Sequence, residues 1–514
     1  MSNSQIAKNT LALYIRMFFS MGVSLFTSRI VLQNLGVDNY GIYTVIGGFV
    51  TLFAFFNGPL NAAASRFFAF EIGKGRSENL KTVFRSALFT HLFYGVVAVA
   101  LLEIAGLYLL KNKLVIPPER MSSAIWVFHF SVIGVFVTIV QTPLTALIIA
   151  TERMKVYAYL GIVDVVVKLG VAAAIVFTKG DKLVLYAFLL KMSTIGIFLA
   201  YHFYCSRNIK DGYSFRPLVN WKLQKEMLGF MGWTLIGSAA GIMNVQGVNI
   251  LFNIFFGVIV NAAFGVANIV NGALTKFVQN FTVAINPQII KSYASGDFTK
   301  MNNLIARGTK FSFFLFYFIV LPILFQTEHL LNIWLVEVPP YVVIFTKLLV
   351  IESLIRCFMH TIYTTVNATG DIMLFQIVFS GVLLLNLPVS YLFLKAGSSP
   401  IIVFYVLILL ELIRIVLMFL IVKVKVPQFL LRDFISTVMI KSVFVAVFSF
   451  MPPFIAGKYI TEAWTSFFVV SALCIVSSSL GIVLFGMNNH ERMWFYEKIK
   501  IFFNRLILRY VTNN

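Results

Sequence analysis

The sequence predicts an all-α integral membrane protein, and three observations support this fold class. The chain has 514 residues, of which 59% are hydrophobic and only 12% charged, and a soluble protein of this length cannot bury that much apolar surface. Apolar stretches near the length that spans a bilayer, about 20 residues, alternate with short basic loops about fourteen times. The second half of the chain also weakly repeats the first half.

We predict about fourteen transmembrane helices, with about twelve as the alternative, because several short spans follow one another closely. The first span carries Arg16 inside it and lacks a cleavage site of small residues, so we interpret it as a membrane span and not as a signal peptide. The predicted spans are 10–32, 41–57, 83–110, 122–149, 156–178, 183–205, 227–251, 255–282, 309–330, 340–367, 372–395, 400–422, 436–456 and 463–486.

The net charge of +21 is explained by membrane topology. With the N-terminus inside, 26 of the 41 Lys and Arg residues fall in cytoplasmic loops and ends, 8 fall in external loops and 7 fall within spans. Basic loops favour the cytoplasmic side of a membrane, so we predict that both termini are cytoplasmic. The basic loops are expected to contact membrane lipids with anionic head groups, and no nucleic-acid partner is needed to explain the charge.

The repeat consists of residues that recur between corresponding spans at a nearly constant offset. The longest loops, 57–82, 206–226 and 286–308, are predicted on the cytoplasmic side. Six spans per half is an even number, so both halves keep the same orientation, and a central cavity is expected between them. The recurring residues are Gly36 and Gly257 as well as Gly75 and Gly296 at offset 221, Ala150-Thr151 and Ala368-Thr369 at offset 218, and Gly180 and Gly397 at offset 217.

This pattern predicts five parts of the chain. An N-terminal six-helix half (1–205) is joined by a cytoplasmic linker (206–226) to a C-terminal six-helix half (227–423). Two additional transmembrane helices follow (424–486). The last part (487–514) is predicted as a basic amphipathic helix on the inner leaflet, because Phe495, Ile499, Phe502 and Leu506 recur at helical spacing among basic residues. A solvated basic end is the alternative for this part.

Charged residues inside the spans are candidates for function, because each costs about 3 kcal/mol at the bilayer centre. Three pairs are close enough along one helix to neutralise each other: Asp164 with Lys168, Glu352 with Arg356, and Glu411 with Arg414. Each is interpreted either as a structural pair or as a coupling or gating site.

Four further cations, Arg16, Arg29, Lys191 and Lys276, have no such local partner. Arg16, Arg29 and Lys276 lie near span ends, so extension of the side chain to the head groups is an alternative for them. Lys191 lies deeper in its span. Because the unpaired charge inside the spans is mostly positive, we predict a cationic cavity for an anionic ligand such as a phosphate or diphosphate.

The eighth span carries a stripe of polar side chains, most of which lie in a stretch, 227–275, that has no charged residue. Amides in hydrocarbon need hydrogen-bonding partners. They either join neighbouring helices or line a wet cavity in which they bind sugar hydroxyls. The stripe contains Asn261, Asn268, Asn271, Thr275 and Gln279, and a shorter stripe on the seventh span contains Gln246, Asn249 and Asn253.

Catalytic and cofactor motifs are missing from the sequence. It has no Walker A motif, no HExxH, no glycine-rich dinucleotide loop and no acidic cluster with metal-ligand spacing. Its three cysteines give neither a disulfide framework nor a metal site. We therefore predict no catalytic residue, no cofactor and no metal. The short external loops argue against the alternative of a membrane glycan polymerase or ligase.

Several motifs resemble the polysaccharide flippases of the multidrug/oligosaccharidyl-lipid/polysaccharide exporter superfamily. The resemblance covers about the first 420 residues and is carried by the segments 8–10, 35–43, 57–60, 65–68, 73–75 and 150–154. It implies a MATE-like fold in a bacterial inner membrane, and a basic central cavity that holds a diphosphate and its glycan. Arg16, Arg29 and Lys276 are the positions that match this cavity.

The function that this resemblance implies is movement of undecaprenyl-diphosphate-linked oligosaccharide across the inner membrane by alternating access, for surface polysaccharide or lipopolysaccharide (O-antigen) biosynthesis. The alternatives are a flippase for the peptidoglycan lipid precursor and a cation-coupled multidrug exporter of the same fold. Ion coupling by H⁺ or Na⁺ is left open, with Asp164, Glu352 and Glu411 as the candidates for protonation.

Overall fold

The architecture is that of a computed structural model, which describes residues 3–51, 57–75, 77–112, 116–335, 338–460, 462–489, 491–493 and 497. Secondary structure in these ranges is helical throughout. The helices are α1 (Asn3–Thr51), α2 (Asn57–Gly73), α3 (Ser77–Asn112), α4 (Met121–Ala150), α5 (Met154–Ala174), α6 (Lys182–Asn208), α7 (Trp221–Phe256), α8 (Val258–Ala294), α9 (Phe298–Trp334), α10 (Val342–Arg356), α11 (His360–Thr369), α12 (Met373–Leu384), α13 (Asn386–Lys395), α14 (Ile402–Lys425), α15 (Leu431–Phe434), α16 (Ile440–Tyr459) and α17 (Ala463–Gly481).

Ten helical segments in the described part of the chain are long and apolar enough to cross a membrane. They account for most of the predicted spans and confirm an all-α, multi-pass membrane protein. The total of about fourteen spans stays a prediction. The segments are Asn79–Tyr108, Pro118–Ala150, Met154–Phe177, Lys182–Asn208, Trp221–Phe256, Phe298–Trp334, Met373–Lys395, Ile402–Lys425, Leu431–Tyr459 and Ala463–Gly486.

Two of the predicted cytoplasmic loops are largely helical. Helix α2 occupies most of 57–82, while α8 and α9 leave only residues 295–297 between them. The loops were predicted as the stretches between apolar spans, but the end of an apolar stretch does not end a helix. Phe67 and Phe68 of α2 are buried, which gives this segment an apolar face that packs in the protein. The helices therefore continue beyond the apolar stretches that identified them.

The chain divides into two compact units. Unit 1 contains Met1–Met243, Asn280–Met301 and Thr364–Gly381, and unit 2 contains Asn244–Gln279, Asn302–Tyr363 and Val382–Asn514. Unit 1 has an aliphatic core that includes Leu102, Val127 and Val132. The core of unit 2 is centred on aromatic rings, with Phe252 stacked on Phe345 at 5.3 Å between ring centroids.

The backbone conformation supports the predicted repeat. Gly36 and Gly257 have φ of 74° and 76°, and Gly75 and Gly296 have φ of 69° and 76°. These conformations are uncommon for residues with a side chain. The glycines that define the repeat at offset 221 thus also share a positive φ. The division into two six-helix halves remains a proposal.

Contacts between loop residues agree with the predicted topology. Arg120 donates hydrogen bonds to Asn39 and pairs with Asp181 at 3.2 Å, and all three residues are predicted on the external side. Partial burial alone would raise the pKa of Asp181. Hydrogen bonds from Ser123 and two backbone amides, together with the charge of Arg120, outweigh burial and hold this pKa below its ordinary value.

The two additional C-terminal helices, α16 and α17, pack against α9 within unit 2. The Tyr317 hydroxyl donates to the carbonyl of Ala446 at 2.8 Å, and the Gln326 amide donates to the carbonyl of Ser466 at 3.1 Å. These bonds hold the pair on one helix along its length. In the predicted amphipathic tail, 490, 494–496 and 498–514 lie outside the described residues.

We expect Gly36→Ala to lower the free energy of unfolding by about 1–3 kcal/mol, because φ of 74° with ψ of 167° is a region nearly exclusive to glycine. The measurement is thermal or denaturant unfolding of the purified protein in detergent. Gly22→Ala in the same helix is the control. Both positions have open space for a Cβ, so only the backbone differs. Equal stability of the two variants would contradict the backbone conformation at Gly36.

Candidate functional site

Arg16 of α1 lies against α5 in unit 1. Its guanidinium carbon is 4.4 Å from the centre of the Tyr157 ring, a cation–π contact. Gly161, one helical turn further along α5, makes room for it, since a Cβ there would lie 2.7 Å from the guanidinium carbon. No ion pair joins Arg16 to an acidic side chain among the described residues.

Lys191 of α6 occupies a similar position against α4. A Cβ at Gly134 would lie 2.7 Å from Cδ of Lys191 and 3.2 Å from Nζ. Lys168 of α5 is near enough for the two positive charges to repel each other, and Lys168 pairs with Asp164 at 2.7 Å as predicted. Within the described ranges, no hydrogen bond or ion pair compensates Lys191.

A tyrosine on α6 lies near charged residues of both α1 and α5. The Tyr201 hydroxyl on α6 lies within electrostatic reach of both Arg16 and Asp164. Unit 1 thus carries three cations and one carboxylate on the adjacent helices α1, α5 and α6. We call Arg16, Asp164, Lys168 and Lys191 the cationic cluster. Because positive charge is in excess there, an anion with several acceptor oxygens is the ligand that this cluster suits chemically.

The other two predicted cavity cations, Arg29 and Lys276, are not assigned to the cationic cluster. Lys276 is exposed on α8 in unit 2. Arg29 lies on α1, but its side chain lies outside the described residues. The roles predicted for both residues therefore stay predictions.

In unit 2 the other two predicted pairs form one group of four charges. Glu352 and Arg356 of α10 pair at 3.4 Å, and Glu411 and Arg414 of α14 form an ion pair. Arg356 is within electrostatic reach of both carboxylates. Both carboxylates are almost fully buried, with 4% and 1% of their side chains exposed. Their charges balance, so this group needs no external counter-ion.

The amide stripe on α8 divides into residues with different surroundings. Asn271 is buried and accepts a hydrogen bond at 2.9 Å from Ser353 of α10, which is a helix-joining contact. Asn268 donates to the carbonyl of Phe264 in its own helix. Asn261 is half-buried, and its side-chain oxygen has no hydrogen-bond partner among the described residues. Gln279 is exposed. The structure therefore assigns Asn271 a packing contact between α8 and α10.

Ser353 connects the stripe to the four-charge group. Its hydroxyl lies 3.2 Å from Glu352 Oε2 as well as 2.9 Å from Asn271 Oδ1, and Arg356 donates to it at 3.1 Å. A hydroxyl has only one proton to donate, so it bonds one of the two acceptors at a time. A change in the hydrogen bond to Glu352 therefore alters the hydrogen bond to Asn271, and the reverse also holds.

Sequence reasoning missed the residues that form contacts between helices. Glu103 had no basic partner along its own helix, but His129 of α4 lies 3.0 Å away. Asn386 donates to Asn244 at 3.0 Å. Gly161 beside Arg16 and Gly134 beside Lys191 were marked in the sequence only as glycines within a span. The sequence contains 32 glycines, so this feature does not identify positions that contact a cation.

No group of three or more His, Cys, Asp or Glu side chains that would hold a metal ion occurs in the described part of the chain. Cys205, Cys357 and Cys474 are all free and buried.

Comparison with known proteins identifies the fold. No family model and no curated protein sequence matches the chain. Solved structures do match. An outward-facing multidrug resistance MATE family transporter of the MOP superfamily aligns with TM-score 0.70 and 13% identity over 82% of this chain and 96% of that chain. MATE in complex with MaL6 aligns with TM-score 0.69 and 13% identity over 83% and 99%.

A third solved structure is a MOP superfamily transporter from Pyrococcus furiosus, for which a binding pocket of reverse polarity and a different function are described. It aligns with TM-score 0.67 and 14% identity over 82% of this chain and 96% of that chain. At this level of identity the three likenesses show that the chain has the MATE fold.

We expect Ser353→Ala to lower the free energy of unfolding by about 1–2 kcal/mol, because the change removes a bridge between buried polar groups on α8 and α10. Unfolding in detergent is the measurement. Ser442→Ala in unit 2 is the control, since this hydroxyl is equally buried but has no hydrogen-bond partner within the described ranges. A loss of the same size in both variants would show that the Ser353 bridge contributes nothing.

Proposed function

We propose that the protein is a flippase that moves undecaprenyl-diphosphate-linked oligosaccharide across the bacterial inner membrane by alternating access, for surface polysaccharide or lipopolysaccharide biosynthesis. The observation that carries the proposal is the cationic cluster, which holds three cations and only one carboxylate on apolar helices. Uncompensated charge in a membrane span is costly, so its presence indicates a ligand.

The geometry of the cluster favours a diphosphate. Arg16 has a planar guanidinium with several donors held against Tyr157, which suits bidentate contact with phosphate oxygens. Lys191 supplies a point charge on a flexible stem. In this proposal the glycan and diphosphate cross inside the protein while the polyprenyl chain stays in lipid. Asn261, Asn268 and Gln279 are the stripe residues proposed to bind sugar hydroxyls.

The fold supports transport as the class of function. One similar structure is a multidrug resistance transporter, and another is a transporter described as having a pocket of reverse polarity. A protein with this fold and an excess of cations among its spans is consistent with a cargo of the opposite charge to a cationic drug. Arg29 and Lys276 remain proposed members of the cavity.

A cation-coupled multidrug exporter is the second candidate, and the shared fold is the observation that favours it. Such a protein needs carboxylates that are free to bind a cation. Here Asp164, Glu352 and Glu411 each pair with a basic residue, so a cationic cargo would have to displace Lys or Arg. The chain therefore fits an anionic cargo better. A flippase for the peptidoglycan precursor carries the same diphosphate and is separated by the experiment below.

The paired charges are proposed as coupling or gating residues. Ser353 places the Glu352–Arg356 pair next to Asn271 of the stripe, so a proton or Na⁺ that alters the pair would alter the hydrogen bond to the stripe. The pair Glu411–Arg414 lies within electrostatic reach of the same Arg356.

Neutralising Arg16 or Lys191, as Arg16→Gln or Lys191→Met, should lower transport of the lipid-linked oligosaccharide about tenfold or more, because each change removes a charge-assisted contact worth about 1.5–3 kcal/mol. The measurement is the fraction of labelled lipid-linked oligosaccharide that reaches the outer leaflet in cells and in reconstituted vesicles. Labelled peptidoglycan precursor in parallel vesicles distinguishes the two diphosphate cargoes.

Arg16→Lys and Lys191→Arg, which keep the charge, should retain part of the activity. Arg207→Gln is the control, since Arg207 is an exposed residue at the end of α6 and contacts Phe203 outside the cluster. Wild-type transport by both neutralised variants at native expression would remove the cluster from cargo binding. Preference for the peptidoglycan precursor would replace the proposed cargo.

Gly161→Ala should lower transport without changing any charge, because its Cβ would displace the Arg16 guanidinium from its place over Tyr157. Gly170→Ala is the matched control in the same helix, where a Cβ meets no atom within 4 Å. Transport and protein level in the membrane are measured for both variants. We expect about a tenfold difference in transport, equivalent to 1.4 kcal/mol. Equal transport would show that the position of Arg16 is not critical.

A further inference from the structure

Two contacts in unit 1 join segments of the predicted N-terminal half to segments of the predicted C-terminal half. The first is centred on Glu152, in the turn between α4 and α5. Lys291 of α8 donates to Glu152 Oε1 at 2.6 Å, and Gln288 donates to Oε2 at 3.2 Å. Glu152 is buried and has φ of 63°, a conformation that is unfavourable for a residue with a side chain and persists only where contacts impose it.

The second contact is centred on Arg66 of α2, which is also buried. It donates to the carbonyl of Ala368 at the end of α11, at 3.4 Å. Its guanidinium carbon lies 4.6 Å from the centre of the Phe67 ring. The guanidinium also fills the space beside Gly370, where a Cβ would lie 2.9 Å from that carbon.

The repeat relates the two contacts to each other, because each joins a helix of one half to a turn of the other half. Glu152 and Gly370 are 218 positions apart, and both have positive φ. In the first contact a helix of the second half, α8, meets a turn of the first half. In the second contact a helix of the first half, α2, meets the equivalent turn of the second half. The helices themselves correspond, since their last residues, Gly73 and Ala294, are 221 positions apart.

The ends of α2 and α8 also touch each other directly. A Cβ at Gly73 would lie 2.5 Å from the carbonyl oxygen of Lys291, 2.6 Å from its Cα and 2.9 Å from Cβ of Ala294. Backbone atoms cannot move aside as a side chain can, so this approach requires glycine. A cavity of about 150 Å³, lined in part by Gly73, Glu152, Lys291 and Ser292, lies beside the ion pair.

We propose that five residues form a latch that closes the transport path at its predicted cytoplasmic end, where the long basic loops lie. These residues are Arg66, Gly73, Glu152, Lys291 and Ala368. We propose further that opening it makes Lys291 and Arg66 the first cations that an anionic head group meets. The inference rests on the proposed function, because closing a path matters only if cargo moves through it. Every segment of the latch belongs to the side on which the topology predicts the cytoplasm.

While the latch is closed, Glu152 neutralises the charge of Lys291, and the Arg66 guanidinium donates to a backbone carbonyl and lies against the Phe67 ring. A phosphate group that takes Lys291 from Glu152 would replace one anion by another, and so it would not leave a buried cation alone. The exposed Lys300, which also lines the cavity, adds positive charge beside Lys291. Cargo binding and latch opening are therefore coupled through one lysine.

The test is maleimide labelling of the Ser292→Cys variant in inverted membrane vesicles, which expose the predicted cytoplasmic side. Ser292 is 3% exposed and lines the cavity, and the three native cysteines are buried and give a low background. Adding Gly73→Ala should speed labelling about tenfold or more, because the new Cβ prevents the closed contact. Gly58→Ala in the same helix has open space and should leave the rate unchanged.

Charge exchange provides a second line of evidence if Gly73→Ala reduces the protein level. In the Ser292→Cys background, Glu152→Lys should speed labelling, and Glu152→Lys combined with Lys291→Glu should restore the slow rate. Equal labelling rates in the Ser292→Cys protein alone, with Gly73→Ala and with Glu152→Lys would overturn the latch. These measurements need no cargo, so they do not depend on the proposed function.

Labelling in vesicles that contain polyprenyl diphosphate distinguishes the latch itself from its opening by the proposed cargo. Faster labelling with this lipid, but not with inorganic pyrophosphate, supports a lipid-borne anion as the ligand that opens the latch. Faster labelling with both supports the shared diphosphate chemistry. No effect of either anion, with the effect of Gly73→Ala intact, would keep the latch as a gate and overturn its opening by the proposed cargo.

Discussion

The cost of placing charge in hydrocarbon organises this protein. A lone charge in a membrane span costs about 3 kcal/mol on insertion scales. Most charges in the described spans are therefore held by a partner: Asp164 by Lys168, Glu103 by His129, and Glu411 by Arg414. Arg16 and Lys191 are different, because glycine and aromatic surfaces hold them instead of acids. We assign cargo binding to these two cations because they lack an acidic partner among the described residues.

Helix geometry explains which of these features were predictable from sequence. The pairs Asp164–Lys168, Glu352–Arg356 and Glu411–Arg414 were predicted because residues three or four apart share one helix face, whatever surrounds the helix. The contact of Arg16 with Tyr157 depends on how two helices are rotated and how closely they approach. A single sequence does not encode that information in any local spacing, so the contact was missed.

The helical parts of the cytoplasmic loops were missed for a related reason. Hydropathy identifies where a helix lies in lipid, whereas backbone hydrogen bonding continues a helix into the interface as long as no residue breaks it. Arg66 falls within the predicted loop 57–82, yet it lies buried in α2. The repeat was more informative there. It identified Gly75 and Gly296 as equivalent, and both have the same left-handed backbone.

The different charge balance of the two sites has a consequence for the energy of the proposed cycle. The four-charge group of unit 2 is neutral by itself, whereas the cationic cluster of unit 1 has an excess of positive charge that the proposed anionic cargo would neutralise. The loaded protein therefore reorients with less net charge in the membrane than the empty protein does. Over a full cycle the protein returns to its starting state, so only the charge of the cargo has crossed. An interior-negative potential then favours outward movement of the diphosphate by about 2.3 kcal/mol per charge per 100 mV, whichever step carries the charge. A separate coupling ion is consequently required only if this energy does not suffice for the accumulation that the cell maintains.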